Sequence, residues 1–293
     1  MKWEGNRESD NVEDVRGDGG GGGGGGFNLG GRSIGLGSVA IALVASYFFG
    51  INPLTVLNML SGGGGAPVQS APSASHAPAT DRTTRLVRTV LADTEDTWTK
   101  LFAARGTTYQ APKLDIFNGN IQTACGTGQT ASGPFYCPGD RKVYIDLAFY
   151  KLMQQRFNVS SDFAEAYVIA HEVGHHVQNL VGTMAKVDAV RERASKTQAN
   201  ALSVRVELQA DCYAGVWAFH ANQSRAILEA GDVESALAAA TAIGDDALQK
   251  QAQGYVVPDS FTHGSSEQRV RWFKKGIESG DMGSCNTFES KQL

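Results

Sequence analysis

His171, Glu172 and His175 have the types and spacing of a metal-dependent hydrolase centre, His-Glu-x-x-His. Side chains four residues apart project from the same face of an α-helix, so both imidazoles can bind one metal ion. The glutamate after the first histidine then lies beside the open coordination position, where it can accept a proton from a water molecule. The spacing therefore predicts a zinc site with Glu172 as general base. The alternative interpretation is an amphipathic helix with surface histidines.

The sequence before this motif favours the metal site over the surface helix. An apolar run over 163–170 predicts a buried helix, and Ser160, Ser161 or Asp162 could cap its start. Buried histidines need a polar partner, and a metal ion is a good one.

A catalytic zinc ion needs a third protein ligand. One class of such sites has a glycine seven and a histidine ten residues after the first histidine, but this chain has Gln178 and Val181 there. Another class takes a glutamate from a later helix. Glu192 lies between arginines and is typical of a solvated face, whereas Glu207 lies in an apolar helical stretch with Asp211 one turn later. We therefore predict Glu207 as the third ligand.

Asp211 has a predicted role of its own. Its carboxylate, on the same helix face as Glu207, could accept a hydrogen bond from the free ring N–H of a ligand histidine, which fixes the tautomer of that ligand. The alternative is an aspartate that only binds backbone groups. We disfavour this alternative because a buried pair of acids without a cation is costly.

Six segments of the chain share a resemblance to one family. They are AHEVGHHVQ (170–178), ELQADCYAGVW (207–217), AIGDDALQ (242–249), FTHGSSEQRVRWF (261–273), GPFYCPGDRKVYIDLAF (133–149) and MKWEGNRESDNVEDVRG (1–17). All closely resemble the neutral zinc metallopeptidase family of bacteria, the YpfJ type. The resemblance runs from end to end and implies a peptidase with a gluzincin-like site, in which a glutamate is the third ligand. It implies no physiological substrate.

The expected fold class is α+β: a mostly helical, zincin-like domain with a small antiparallel sheet, preceded by one transmembrane helix. Apolar positions at helical spacing predict a helix over 83–105, and β-forming residues predict strands at 114–117 and 142–146. An edge strand above the active-site helix commonly pairs with substrate in zincins. The segment 133–144 is our candidate for this substrate shelf, with an ordinary structural strand as the alternative.

The N-terminal part of the chain cannot form a core, because it is rich in glycine, with an unbroken run over 19–26. We predict a disordered cytoplasmic tail over 1–33, a transmembrane anchor over 34–51, a flexible linker over 52–82 and a catalytic domain over 83–293. A cleaved signal peptide is less favoured, because about 30 mostly polar residues precede the apolar span.

Basic residues set the expected orientation of this anchor. Lys2, Arg7, Arg16 and Arg32 precede the span, and the next basic residue is Arg82. The positive-inside rule then places the N-terminus in the cytoplasm and the catalytic domain outside the bacterial inner membrane.

The four cysteines fit an oxidising compartment. An even number outside the cytoplasm suggests two disulfides, and four cysteines allow three pairings, among which the sequence cannot choose. We expect Cys125–Cys137 as the local pair, which leaves Cys212–Cys285.

A peptidase also needs a donor to the oxyanion of its tetrahedral intermediate. His263 is the first candidate, because it is the only other histidine predicted to lie in a loop of the catalytic domain. Tyr255 and Arg269 are the next candidates. His176 points about 100° away from His175 on a helix and is more typical of a packed or exposed residue than of a ligand. His220 has no evident partner.

The predicted function is that of a membrane-anchored zinc endopeptidase with one zinc ion per chain and a peptide or protein substrate. A zinc-bearing, non-proteolytic peptide-binding protein and a cell-wall amidase are the alternatives. The net charge of −4 and the lack of a basic stripe do not indicate nucleic-acid binding. The sequence does not give the oligomeric state.

Overall fold

The computed structural model describes residues 1–16, 81–130 and 133–293, and these residues are mainly helical. Met1–Val15 and Pro78–Leu293 fall in one compact unit. The α-helices of the described residues are α1 (Arg82–Ala103), α2 (Ala148–Phe157), α3 (Asp162–Leu180), α4 (Thr183–Arg191), α5 (Lys196–Arg225), α6 (Asp232–Ala242), α7 (Asp245–Gln253) and α8 (Ser266–Ser279). Short 3-10 helices cover Pro258–Ser260 and Met282–Cys285.

The strands form one mixed sheet and one separate hairpin. They are β1 (Val12–Asp14), β2 (Lys113–Phe117), β3 (Asn120–Thr123), β4 (Gly126–Gln129), β5 (Phe135–Cys137) and β6 (Lys142–Asp146). The main sheet has the order β1-β2-β6-β5, in which only β5 runs antiparallel to its neighbour. The prediction of a small antiparallel sheet is correct for the β3-β4 hairpin and the β5-β6 pair, and wrong for the parallel pairs β1-β2 and β2-β6. Parallel pairs need long connections, and the segment that joins β2 to β6 is such a connection.

Helix α3, which carries the His-Glu-x-x-His motif, is the centre of the core. Ser161 caps its start by accepting a hydrogen bond from the backbone N–H of Ala164. Two acidic residues in the first turn interact favourably with the positive end of the helix dipole. Phe163 stacks on Trp217 of α5, with 6.0 Å between ring centroids, and both side chains are fully buried. The core packing therefore fixes α3 against α5.

Two glycines allow close helix crossings around the motif. A side chain at Gly174 would place its Cβ 2.9 Å from the carbonyl oxygen of Ala210 on α5. At Gly276 of α8 the Cβ would lie 2.0 Å from the carbonyl oxygen of Cys212. Because these two positions have no side chain, α3 and α8 can both pack closely against the same stretch of α5. Residues of three helices therefore meet there.

The first residues of the chain are part of the folded domain. The side chain of Trp3 is 2% exposed, and its indole N–H donates to Asp162 at the start of α3 over 2.8 Å. Strand β1 pairs in register with β2, with Val12 opposite Leu114. The prediction of a disordered tail over 1–33 is therefore wrong for residues 1–16.

Polar contacts explain why this segment is ordered despite its charged composition. The Ser9 hydroxyl donates to Glu95 of α1 over 2.6 Å, and the Arg7 guanidinium binds Glu95 and Asp96. Arg7 and Ser9 thus meet polar partners on α1, while Trp3 supplies apolar burial.

No helix among the described residues is long and apolar enough to cross a membrane. The predicted transmembrane span over 34–51 lies outside the described residues, as does the predicted linker up to residue 80. The anchor and the linker therefore stay predictions from sequence.

Candidate active site

The structure brings the three predicted metal ligands together. His171 and His175 project from α3, and Glu207 faces them from α5. The Nε2 atom of His171 lies 3.1 Å from one carboxylate oxygen of Glu207, and the Nε2 atom of His175 lies 3.5 Å from the other. One ligand atom from each residue falls within 4.8 Å of the other two. Glu192, the rejected candidate, is exposed at the end of α4.

The donor set fits zinc. Two imidazole nitrogens and a carboxylate oxygen are the ligands of catalytic zinc sites that leave one position open. The Nδ1 atom of His171 lies 2.8 Å from Oδ1 of Asp211. A carboxylate only accepts hydrogen bonds, so Nδ1 carries the proton and Nε2 presents its lone pair to the cluster. Asp211 thus occupies the position that the sequence predicted for it.

Asp211 is itself held by Arg269. The guanidinium donates to both carboxylate oxygens over 2.9 Å, and the Tyr167 hydroxyl donates to Oδ1 over 2.5 Å. Burial alone would raise the pKa of Asp211, but the charges of Arg269 and His171 lower it to about 2. Arg269 is 3% exposed, and its guanidinium is buried against the carboxylate of Asp211. The prediction of Arg269 as an alternative oxyanion donor is therefore wrong, because its guanidinium is committed to this carboxylate.

Glu172 is buried beside the ligands, with 7% of its surface exposed. Burial raises the pKa of its carboxyl group, although the nearby charges of His175 and His171 oppose that rise. A raised pKa suits a general base that works near neutral pH.

His263 lies on a loop that packs against the helix of Glu207. A Cβ placed on the next residue, Gly264, would be 3.3 Å from side-chain atoms of Val204 and Leu208 on α5. The His263 side chain is 52% exposed, so it is open to a substrate. Its pKa is raised: burial would lower it, but the hydrogen bond to Asp245 and the charge of Glu207 outweigh that effect.

Asp245, at the start of α7, shapes this loop and was missed by the sequence analysis. Its Oδ2 accepts backbone N–H bonds from Thr262, His263 and Gly264, over 2.7, 2.6 and 3.1 Å. Its Oδ1 lies 3.2 Å from Nδ1 of His263, and Nε2 of that ring has no hydrogen-bond partner among the described residues. The signal was present, because Asp245 belongs to the segment 242–249 that carries the family resemblance.

The other candidate residues are not part of the ligand cluster. His176 is 1% exposed and makes hydrogen bonds with the Tyr136 hydroxyl and the carbonyl oxygen of Gln110, so it is a packed residue, as expected. Burial lowers its pKa to about 4. His220 donates to the carbonyl oxygen of Gly280 over 2.8 Å, a partner that the sequence did not suggest. Tyr255 is 62% exposed on the segment after α7.

Strand β5, within the predicted substrate shelf over 133–144, lies at the edge of the main sheet. The hydroxyl of Tyr136 contacts two residues of α3, since it bonds to His176 over 3.0 Å and accepts from Asn179 over 2.9 Å. An edge strand thus rests on the helix that carries the motif.

Both expected disulfides are present. Cys125 is bonded to Cys137, which joins the loop after β3 to the end of β5. Cys212 is bonded to Cys285, which ties the C-terminal segment to α5 beside Asp211.

Comparisons with known proteins agree with this site. A family model described as "Putative neutral zinc metallopeptidase" matches residues 1–288. The "Uncharacterized protein YpfJ" of Escherichia coli (strain K12) is 51% identical over 291 residues, which cover 98% of this chain and 99% of that protein. The "Uncharacterized protein Rv2575" of Mycobacterium tuberculosis (strain ATCC 25618 / H37Rv) is 42% identical over 195 residues, 63% of this chain and 65% of that protein. No solved structure matches significantly. The chain belongs to the neutral zinc metallopeptidase family.

Proposed function

We propose that the protein is a zinc-dependent endopeptidase with one zinc ion per chain. The observation that carries the proposal is the convergence of His171, His175 and Glu207 on one point, with the buried carboxyl group of Glu172 beside them. Zinc bound there would polarise the scissile carbonyl group and make a water molecule more acidic.

The protein residues divide the remaining work. Glu172 accepts a proton from the attacking water and passes it to the leaving amine, which its raised pKa favours. His263 donates through Nε2 to the developing oxyanion, a contribution that typically amounts to about 3 kcal/mol for one such donor. The raised pKa of His263 favours its protonated, donating form. Asp245 holds the ring through Nδ1.

A peptide substrate fits the edge position of β5. An extended peptide can add to an exposed sheet edge through backbone hydrogen bonds, with side-chain pockets supplying specificity. This mode would place the scissile bond over α3, because β5 contacts that helix through Tyr136.

Two other functions share parts of this site. A non-proteolytic peptide-binding protein would use the same metal and strand edge, but the buried Glu172 favours hydrolysis because simple binding needs no general base. A cell-wall amidase would use the same chemistry on a different amide. Assays with casein and with peptidoglycan fragments as substrates separate the two hydrolases.

The decisive experiment uses the full chain, because residues 1–16 pack against the domain. Zinc content and cleavage of a peptide library are measured for the wild type and for Glu172→Gln, with the exposed Glu192→Gln as control. We expect one zinc ion in all three proteins and loss of cleavage in Glu172→Gln alone. Retained cleavage in that variant would remove Glu172 from the mechanism.

A second pair of variants tests the third ligand. Glu207→Ala should lower the zinc content sharply, whereas Glu192→Ala should not. The reverse result would assign the ligand to Glu192.

We also propose that the catalytic domain works outside the cytoplasm and that residues 34–51 attach it to the bacterial inner membrane without carrying residues 1–16 to the other side, because β1 pairs with the domain. The two disulfides support an oxidising compartment. The anchor rests on the apolar composition of that span. Fractionation of cells into membrane and soluble parts, with and without residues 34–51, tests the attachment: an unchanged distribution would contradict it.

A further inference from the structure

The second ligand histidine, His175, is held in a different way from the first. Its Nδ1 atom lies 2.9 Å from Oε1 of Gln178, a side chain with no exposed surface. The amide nitrogen of Gln178 donates to the carbonyl oxygen of Val206 over 2.7 Å and to Oε1 of Gln209 over 3.1 Å. No charged group takes part in these contacts.

The chain of amides continues to the C-terminal segment. Gln209, which is 6% exposed, donates through its side-chain nitrogen to the carbonyl oxygen of Cys285 over 3.0 Å. Cys285 is in turn bonded to Cys212 on α5, three residues after Gln209. We call the two side chains of Gln178 and Gln209 the glutamine relay.

The direction of every bond in the glutamine relay is fixed by its two backbone ends. The carbonyl oxygens of Val206 and Cys285 can only accept hydrogen bonds, so both amide nitrogens must point toward them. Oε1 of Gln178 is then left facing His175, and as an acceptor it requires a proton on Nδ1 of that ring. The remaining nitrogen, Nε2, therefore presents its lone pair to the ligand cluster.

We infer that Gln178 and Gln209 are positioning residues that fix the tautomer of His175, and that the Cys212–Cys285 disulfide anchors them. The inference rests on the proposed function only in taking the cluster of His171, His175 and Glu207 as the working metal site. It makes the affinity for zinc dependent on a disulfide that touches no metal ligand.

A dithiol reductant should therefore weaken zinc binding. It transfers two electrons and two protons to the bridge, which gives two cysteine thiols and the oxidised, disulfide form of the reductant. The Cys285 carbonyl is then less firmly held. The loss should be partial, because the Thr287 hydroxyl still donates to the carbonyl oxygen of Arg205 over 2.7 Å.

The first test measures zinc affinity by competition with a chelator of known affinity. Gln178→Met and Gln209→Met keep a similar side-chain length but remove the amide. We expect zinc to bind about tenfold or more weakly to Gln178→Met, as for other partners of metal ligands. Gln209→Met should act in the same direction. The control is Asn179→Ala, which removes an amide from the next residue of α3 without touching the glutamine relay; its affinity should stay within about twofold.

A spectroscopic readout separates positioning from a general loss of structure. Nitrogen-15 NMR of the zinc-free protein, at a pH where the ring is neutral, reports which nitrogen of His175 is protonated. We expect the Nδ1–H tautomer in the wild type and a mixture of tautomers in Gln178→Met. A variant that keeps wild-type zinc affinity or a pure Nδ1–H tautomer would overturn the inference.

The disulfide is tested with a matched pair of double variants. Cys212→Ser/Cys285→Ser should bind zinc more weakly than the wild type, by less than Gln178→Met, whereas Cys125→Ser/Cys137→Ser should not differ. Equal affinities for both double variants would overturn the anchoring role. These readouts do not involve peptide cleavage, so a protein with these affinities that cleaves nothing would refute the proposed peptidase and leave the glutamine relay standing.

Discussion

Replacement of Arg269 by methionine tests the reasoning about the buried charges most directly. Arg269 and Asp211 are 3% and 0% exposed, and two bonds of 2.9 Å join them. Removal of one partner of a buried ion pair typically costs about 3–5 kcal/mol, because the other charge stays buried without compensation. Asp211 would keep its bonds to Tyr167 and His171, so we expect the lower end, about 3 kcal/mol.

The assay is denaturant unfolding of the zinc-free protein. Arg271→Met, two residues further along α8, is the control: its ion pair with Glu267 is exposed and should contribute less than about 1 kcal/mol. Arg269→Met should also bind zinc more weakly, because Asp211 orients His171. Adding Asp211→Asn to Arg269→Met should restore part of the stability but not the zinc affinity. A loss below about 1 kcal/mol for Arg269→Met would refute the importance of this pair.

Three further predictions concern other parts of the molecule. Asp245→Asn should lower kcat through His263 and leave zinc affinity unchanged; a loss of zinc instead would place Asp245 at the metal. Gly174→Ala should destabilise the fold by about 1–3 kcal/mol in thermal unfolding, since its Cβ would lie 2.9 Å from the carbonyl oxygen of Ala210; an unchanged melting temperature would show that α3 and α5 can separate freely. Burial raises the pKa of Glu165 to about 7 from an ordinary value of 4.5, so the folded state binds more protons and stability should fall as pH rises through this window. Glu165→Gln should remove that fall, worth up to ~3 kcal/mol, and an unchanged pH dependence would contradict the assignment.

The residues of the candidate metal cluster were predictable because their signal is local. His171 and His175 lie one turn apart, and helix geometry alone places them on one face. Glu207 and Asp211 repeat the same spacing in an apolar stretch, which distinguished them from the arginine-flanked Glu192. Periodicity within one helix is enough for such residues.

Other parts of the site depend on contacts that leave no local pattern. Arg269 meets Asp211 across 58 positions of sequence, and nothing around Arg269 distinguishes it from a surface arginine. Gln178 was considered only as evidence against a different class of zinc site, since the sequence does not show that Gln209 and the Cys285 carbonyl lie beside it. The parallel strands were missed for the same reason, because strand direction is set by the path of the whole chain.

The N-terminal segment was misjudged on composition. Residues 1–16 are charged and precede a glycine run, which is typical of disorder, and the three-residue β1 is too short to show alternation. The better guide was the family resemblance, which already covered 1–17. A segment that resembles a family at many specific positions is expected to make contacts that need those residues.

Residues 1–16 pack against the catalytic domain, and this packing limits how the chain can cross a membrane. Strand β1 and helix α1 belong to one folded unit, so the two ends of the intervening segment lie on the same side of any membrane. An odd number of crossings between Asp14 and Arg82 is incompatible with this fold, whereas none or two are compatible. The expected cytoplasmic N-terminus and an extracytoplasmic domain thus exclude each other once β1 is paired. Topology reporters fused to either end of the chain would therefore give the same answer, and opposite answers would mean that β1 leaves the sheet in the cell.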